Sequence, residues 1–174
     1  MNLMLKFKYI LFASLLLSIL SFIFGTTFLP DIPEDNTSIN ESADNSFSYL
    51  FLHNLRAGLY SVFIGSITVG LYSLFYLFIN FFTMGVIVNT LTESNSIMET
   101  LSTFLLHGIF EVPAMLLAAS LGIYIPLRLI QFFRNKRWVK ADTYRIGIIF
   151  LSLVAFTLIA AFIEGVITPQ FIKI

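Results

Sequence analysis

The stretch Leu101-Ser-Thr-Phe-Leu-Leu-His-Gly-Ile-Phe-Glu-Val-Pro-Ala-Met-Leu-Leu-Ala-Ala-Ser-Leu-Gly-Ile-Tyr-Ile-Pro-Leu127 decides the fold. It is longer than the ~20 residues a helix needs to cross a bilayer, and its only charged residue is Glu111, one helical turn after His107. A second lone acid, Glu164, interrupts the last apolar run, Ile159-Ala-Ala-Phe-Ile-Glu-Gly-Val-Ile-Thr-Pro169. Ionisable groups at membrane depth are costly and normally face other protein, so these residues are candidate site residues.

Composition extends the membrane reading to the whole chain. Of 174 residues, 57% are hydrophobic and 11% charged, and the mean hydropathy is +0.89. A soluble domain carries about 25% charged residues. The expected fold is an all-α, polytopic transmembrane bundle in a single membrane domain spanning residues 1–174. With no cysteine, disulfides, thiol catalysis and cysteine metal sites are excluded.

The zero net charge hides a segregation. Basic residues gather at Lys6 and Lys8 and between Arg128 and Arg145; acids gather between Asp31 and Asp44 and at Glu93 and Glu99. Basic segments stay on the cytoplasmic side, which predicts the amino terminus and the 128–145 segment inside. The uncharged run Tyr9–Leu29 is too long for a signal-peptide core and lacks an Ala-x-Ala site, so it reads as an uncleaved span. Parity then calls for two passes between Phe47 and Thr92, with a hairpin near Gly70 to Ser73; a surface helix through Arg56 followed by a broken span is the competing layout. Five spans are expected, near 9–28, 48–69, 74–91, 100–127 and 146–168. An acidic outside loop is expected at 29–46 and a cytoplasmic basic loop at 128–145. Pro30 and Pro33 are expected to end the first helix.

Small residues recur every four positions at Ala57, Ser61 and Gly65, at Ala114, Ala118 and Gly122, and at Thr157, Ala161 and Gly165. Such stripes let helices approach closely in lipid. At 100° per residue, His107 and Glu111 share the face of Ala114, Ala118 and Gly122. Pro113 is expected to kink that helix, and Gly108 to admit a neighbouring backbone. Asn54, Asn80 and Asn89 read as hydrogen-bonding glue.

Counted by helical rise, Arg56, His107, Glu111 and Glu164 fall in the outer half of the membrane, with His53. One cation and two acids at similar depth predict an Arg56–Glu164 or Arg56–Glu111 contact. Three readings of the cluster stand, in this order. It locks helix register; it lines a conduction path; or it holds a catalytic metal, since His-x-x-x-Glu can chelate zinc. The metalloprotease His-Glu-x-x-His is absent, as are a nucleophile elbow and a phosphate loop. No catalytic residue, metal or cofactor is therefore expected.

On these residues the chain resembles a bacterial family, that of stage II sporulation protein M. The resemblance runs through Asn54, Gly65, Gly70, Asn80 and Gly85, then His107-Gly-Ile-Phe-Glu-Val-Pro113 with Gly122, and closes on Ala160–Pro169. It covers most of Phe51 to Pro169. The chain departs from the family pattern at Leu106, where the family has Pro, and at Phe81, where it has Gly. The resemblance implies a multi-pass protein of the bacterial cell membrane, without established catalysis, working in a complex. Some relatives assemble with cell-wall-degrading proteins in sporulation. Others resemble membrane components encoded with circular bacteriocins beside ABC transporter parts, serving secretion or self-protection.

The expectation is thus a non-enzymatic, oligomeric membrane subunit partnering the bilayer and other envelope proteins, an ABC-type ATPase among them, and no nucleic acid. Arg134, Lys136, Arg137 and Lys140 are its expected cytoplasmic contact, for anionic lipid or a soluble partner, unless the basic segment serves only to fix topology, the plainer reading and the favoured one. The alternative is a channel or exporter subunit with a path lined by His107, Glu111 and Glu164.

Overall fold

The computed structural model describes residues 7–28, 46–94, 97–136 and 139–167, with the backbone alone for 93–94 and 97–107. Five helices make up the described residues: α1 (Phe7–Gly25), α2 (Phe47–Ile67), α3 (Leu71–Ser94), α4 (Ile97–Asn135) and α5 (Lys140–Phe162). The last runs on into one π-helical turn, Ile163–Ile167. Four helices are long and apolar enough to cross a membrane. The other, α2, carries His53, Asn54 and Arg56 in its first half, which lowers its hydropathy. Its 21 residues nevertheless span ~31 Å, the thickness of a bilayer core.

Local chemistry sets the ends of α2. The Ser46 side chain accepts from the Tyr49 N–H and caps its start. At its close, Val69 and Gly70 take positive φ angles of 53° and 92°, and the Gly70 N–H donates to the Gly65 carbonyl at 2.6 Å. Glycine suits that left-handed position because it has no Cβ. The chain therefore reverses over residues 68–70, a little earlier than the expected 70–73, and Ser73 is already a buried residue of α3.

The expected basic loop is mostly helix. Arg128 and Arg134 lie on α4 and Lys140 and Arg145 on α5, with a short connection around Lys136. Charge alone does not end a helix: long cationic side chains carry their heads to water while the backbone continues. With 39 residues, α4 reaches ~58 Å, well beyond a bilayer core. The helix runs through both Pro113 and Pro126. The expected acidic loop lies outside the described residues, apart from Ser46, as do Pro30, Pro33 and Arg137.

In a bilayer the polar face of a helix turns inward. On α1, Ile10, Ser14, Ser18, Ser21 and Gly25 are buried, whereas Phe12, Leu16, Leu20 and Phe24 are exposed. Burying serines while presenting Phe and Leu outward is stable only where the surroundings are apolar. The serine hydroxyls are satisfied inside the protein: Ser18 donates to the Ser14 carbonyl at 2.9 Å and Ser21 to that of Leu17 at 2.8 Å.

The bundle is built around α4, which touches every other helix; 61% of its apolar span is buried, against 22–28% for the other three apolar spans. Two backbone crossings tie α1, α2, α3 and α4 together. At the first, Gly25 of α1 meets Gly85 of α3, where an added Cβ on either would fall on the other helix's carbonyl oxygens, Phe82 or Phe22. At the second, Gly65 and Gly122 close on Ser73, whose hydroxyl donates to the Ser61 carbonyl at 2.8 Å.

The contacts define two ends. At one, Phe7 packs edge-on against Tyr124, Gly70 sits on Ile123, and α4 turns back into α5, so Lys8, Arg128, Arg134, Lys136, Lys140 and Arg145 share a basic end. At the other, Asn89 donates to the Phe28 carbonyl at 3.2 Å and Gly165 packs on Phe47.

Candidate functional site

Towards the end away from the basic residues, α2, α3, α4 and α5 enclose a cavity of about 140 Å³. Small side chains make the space: Ala57 and Gly58 on α2, Ala114 on α4 and Ala160 on α5. Polar ones line it: His53 and Asn54, Tyr76 and Asn80, Glu111, and Thr157. Each set follows helical phase. Glu111 stands three and four residues before Ala114 and Met115, and Tyr76 four before Asn80, so each set shares one inward face.

Part of this polar inventory is spent on the helices themselves. The Asn80 amide donates to the Tyr76 carbonyl at 2.7 Å, and the Thr157 hydroxyl to that of Leu153 at 2.9 Å. The Asn80 amide oxygen, the Thr157 lone pairs and the Tyr76 hydroxyl remain as chemistry for the cavity, beside the carboxyl of Glu111 in its lining. At ~30 Å³ per water, a polar space of this size has room for four or five molecules.

Towards the basic end the space stops. Val62, Ala118, Leu121, Leu153 and Ile149 pack together there, against Ala114 of the cavity wall. Leu77, Met115 and Ala119 belong to a second packed cluster beside it. The cavity is thus a blind recess in this conformation rather than a pore.

Of the expected four-residue cluster, Arg56 stands apart. Glu111 lines the cavity. Arg56 does not pair with Glu111 or Glu164: it is exposed, with no ion pair to a described residue. The reason is helical phase, because Arg56 stands about 200° around α2 from the buried Gly58. Glu164 is half-buried in the π-helical turn, away from the cavity lining. The His107 side chain lies outside the described residues. His53, stacked on Tyr49 with ring centroids 5.9 Å apart, reaches the cavity edge instead. Among the described residues, no three His, Asp or Glu side chains gather as metal ligands would. With Arg56 on the outer face, Arg56→Gln is expected to leave unfolding stability within about 0.5 kcal/mol of the parent; a loss above ~2 kcal/mol would return Arg56 to a buried pair.

Of the glycines, Gly65, Gly85 and Gly122 stand at backbone crossings and Gly70 at the turn. Gly108 does not: an added Cβ would meet only Val112 of its own helix, at 3.9 Å. Among the expected contact residues, Arg134, Lys136 and Lys140 are exposed.

A second polar cluster, absent from the sequence reading, sits at the basic end. Tyr124, fully buried, donates its hydroxyl to Asp142 at 2.8 Å and accepts from Arg145 at 3.1 Å. The same Asp142 oxygen lies 3.5 Å from the Arg128 Nε and 3.6 Å from an Arg145 guanidinium nitrogen. The Arg128 guanidinium also lies 4.8 Å from the centre of the Tyr124 ring, a cation–π contact. One carboxylate thus joins the last apolar turns of α4 to the first turn of α5. The only sequence signal for it was one acid, Asp142, amid six basic residues.

Comparison with known proteins identifies the family. The family described as Stage II sporulation protein M matches residues 13–169. The uncharacterized protein MJ0793 of Methanocaldococcus jannaschii is 31% identical over 165 residues, covering 90% of this chain and 92% of that one. The uncharacterized protein MJ0706 of the same organism is 29% identical over 115 residues, 61% of this chain and 50% of that one. No solved structure matches the chain.

Proposed function

The chain belongs to the stage II sporulation protein M family, and from that premise we propose that it is a non-enzymatic subunit of a multiprotein membrane complex. The observation that carries this reading is the blind cavity. A transport path has to continue across the bundle, whereas here packed side chains meet the polar recess halfway. A polar recess sealed on one side suits a protein whose intramembrane groups orient its helices for partners.

The reading places the multi-pass chain in the cell membrane with the basic end inside, as the distribution of Lys and Arg favours. On that topology α2 makes the fifth pass. The cavity lies towards the external half, the side on which partners acting on the envelope would stand. An ATPase partner would meet the exposed Arg134, Lys136 and Lys140 at the inner end. The two relatives named are archaeal, so they lend no support to a bacterial setting, to sporulation or to bacteriocin secretion in particular.

A conducting subunit is the second reading, favoured by one feature: an acid, Glu111, in the lining of a polar cavity with room for several waters. Two measurements separate them. Mild solubilisation of the tagged chain from its own membranes should yield a defined complex with at least one other membrane protein at constant stoichiometry; a chain alone, or a homo-oligomer alone, sinks the subunit proposal. In proteoliposomes, proton flux should equal that of empty vesicles for the parent and for Glu111→Gln. Flux in the parent that Glu111→Gln removes would put conduction first.

A further inference from the structure

Between α1, α4 and α5 at the basic end lies a pocket of about 580 Å³, within the ~300–1,000 Å³ usual for small-ligand sites. We propose that this pocket, built by Lys8, Arg128, Arg145 and the first turn of α5, binds the phosphate headgroup of an anionic membrane lipid. The proposal does not rest on the complex-subunit reading; it needs only that the chain spans a membrane.

Charge is the first argument. Lys8, Arg128 and Arg145 line the pocket with a single acid, Asp142, so the side chains sum to two positive charges. The three cations come from three different helices, and Asp142 holds two of them at fixed positions through its 3.5 and 3.6 Å contacts. Guanidinium forks held in place recognise phosphate well, because little side-chain freedom is lost on binding.

The helix end is the second. The 23-residue α5 begins at the pocket wall, where Val139 and Ala141 line the space. Its N-cap, Val139, has no side-chain oxygen for the N–H groups of Lys140 and Ala141, while the Asp142 N–H donates to the Val139 carbonyl at 2.8 Å. Such groups favour an anion, as does the helix dipole.

The third argument concerns the source of the phosphate. Phe7, Val139 and Ile149 share the lining with the cations, and Lys8 opens an apolar α1 that runs alongside. A site with cations at the membrane boundary and apolar side chains beside them fits a headgroup still attached to its chains. A free phosphate would gain nothing from the apolar wall.

The test uses the full chain purified in detergent and exchanged with phosphatidylglycerol or phosphatidylcholine of identical acyl chains, bound lipid being counted by native mass spectrometry. One phosphatidylglycerol per chain should be retained and phosphatidylcholine lost. Lys8→Gln, which breaks no ion pair, should weaken retention about fivefold, and Lys8→Gln with Arg145→Gln about thirtyfold. That is the effect of removing one and then two cations near an anionic lipid. The exposed pair Arg134→Gln and Lys140→Gln should leave retention unchanged. Equal retention of the two lipids, or equal loss in the exposed pair, would overturn the pocket in favour of diffuse attraction. Displacement of the lipid by millimolar inorganic phosphate would overturn the lipid as its source.

Discussion

Asp142→Asn is expected to lower unfolding free energy by about 3 kcal/mol, the low end of the ~3–5 kcal/mol range for breaking a buried ion pair. The substitution keeps the size of the side chain and removes only its charge. The Arg128 side chain, 13% exposed, is then left largely desolvated without its counter-ion. Arg145 is 46% exposed and can turn towards water, which is why the upper end of the range is not reached. Tyr124 is fully buried and keeps an acceptor in the Asn side-chain oxygen, so its hydroxyl contributes little to the loss. Denaturant unfolding in mixed micelles measures the difference. Adding Arg128→Gln to Asp142→Asn should recover part of it, because the stranded charge is gone. An Asp142→Asn protein within 0.5 kcal/mol of the parent would show that the cluster is solvated and holds nothing together.

Gly85→Ala is expected to destabilise by roughly 1–3 kcal/mol, the cost of forcing extra atoms into a filled interface. Helix propensity pulls the other way, since Ala is better than Gly by about 1 kcal/mol in a helix interior. The clash prevails because the atoms in the way are backbone: the Phe22 carbonyl oxygen, the Thr26 nitrogen and the Gly25 Cα. None of them can rotate aside, so α1 must move off α3 as a body. Gly25→Ala meets the Phe82 carbonyl in the same way, and the two together should not add, because either alone opens the crossing.

The opposite sign is expected elsewhere on the same helical scaffold. An added Cβ at Gly147 meets nothing within 4 Å, and at Gly58 only ordinary contacts at 3.6 and 3.7 Å. Gly147→Ala should therefore stabilise by about 0.5–1 kcal/mol through propensity alone. Unfolding measurements on Gly85→Ala and Gly147→Ala form a paired test. Loss of an engineered α1–α3 cysteine cross-link in Gly85→Ala, clean to read in a chain without cysteine, would locate the damage. A stabilised Gly85→Ala would mean that α1 does not sit against α3 as described.

Much of the candidate site followed from helical phase along single segments. Glu111 shares a face with Ala114 and Ala118, and one helix is enough to compute that. Asn54 and Asn80 read as intramembrane polar groups because they interrupt apolar runs. Arg56 shows where this reasoning stops. Depth along the membrane put it level with Glu111, but contact depends also on rotation about the helix axis, and the buried side of α2 is set by Gly58, Ser61 and Gly65. Thr157 read only as part of a stripe of small residues and Tyr76 carried no signal; the packing of four helices turned them towards one space.

By itself the sequence determined what each segment is: apolar runs of bilayer length, a reversal at Gly70, basic residues held to one end, and an acid on the packing face of α4. These follow from hydropathy, backbone freedom and the 100° period, which are local. Only the tertiary structure decided which residues meet: Gly25 with Gly85, Asp142 with Tyr124 and two arginines, Glu111 with Tyr76 across a cavity, and Lys8 beside Arg145. Such meetings depend on the relative register and rotation of helices far apart in the chain. In lipid those are set by close backbone packing and by polar groups that must find a partner, because an apolar solvent offers them none.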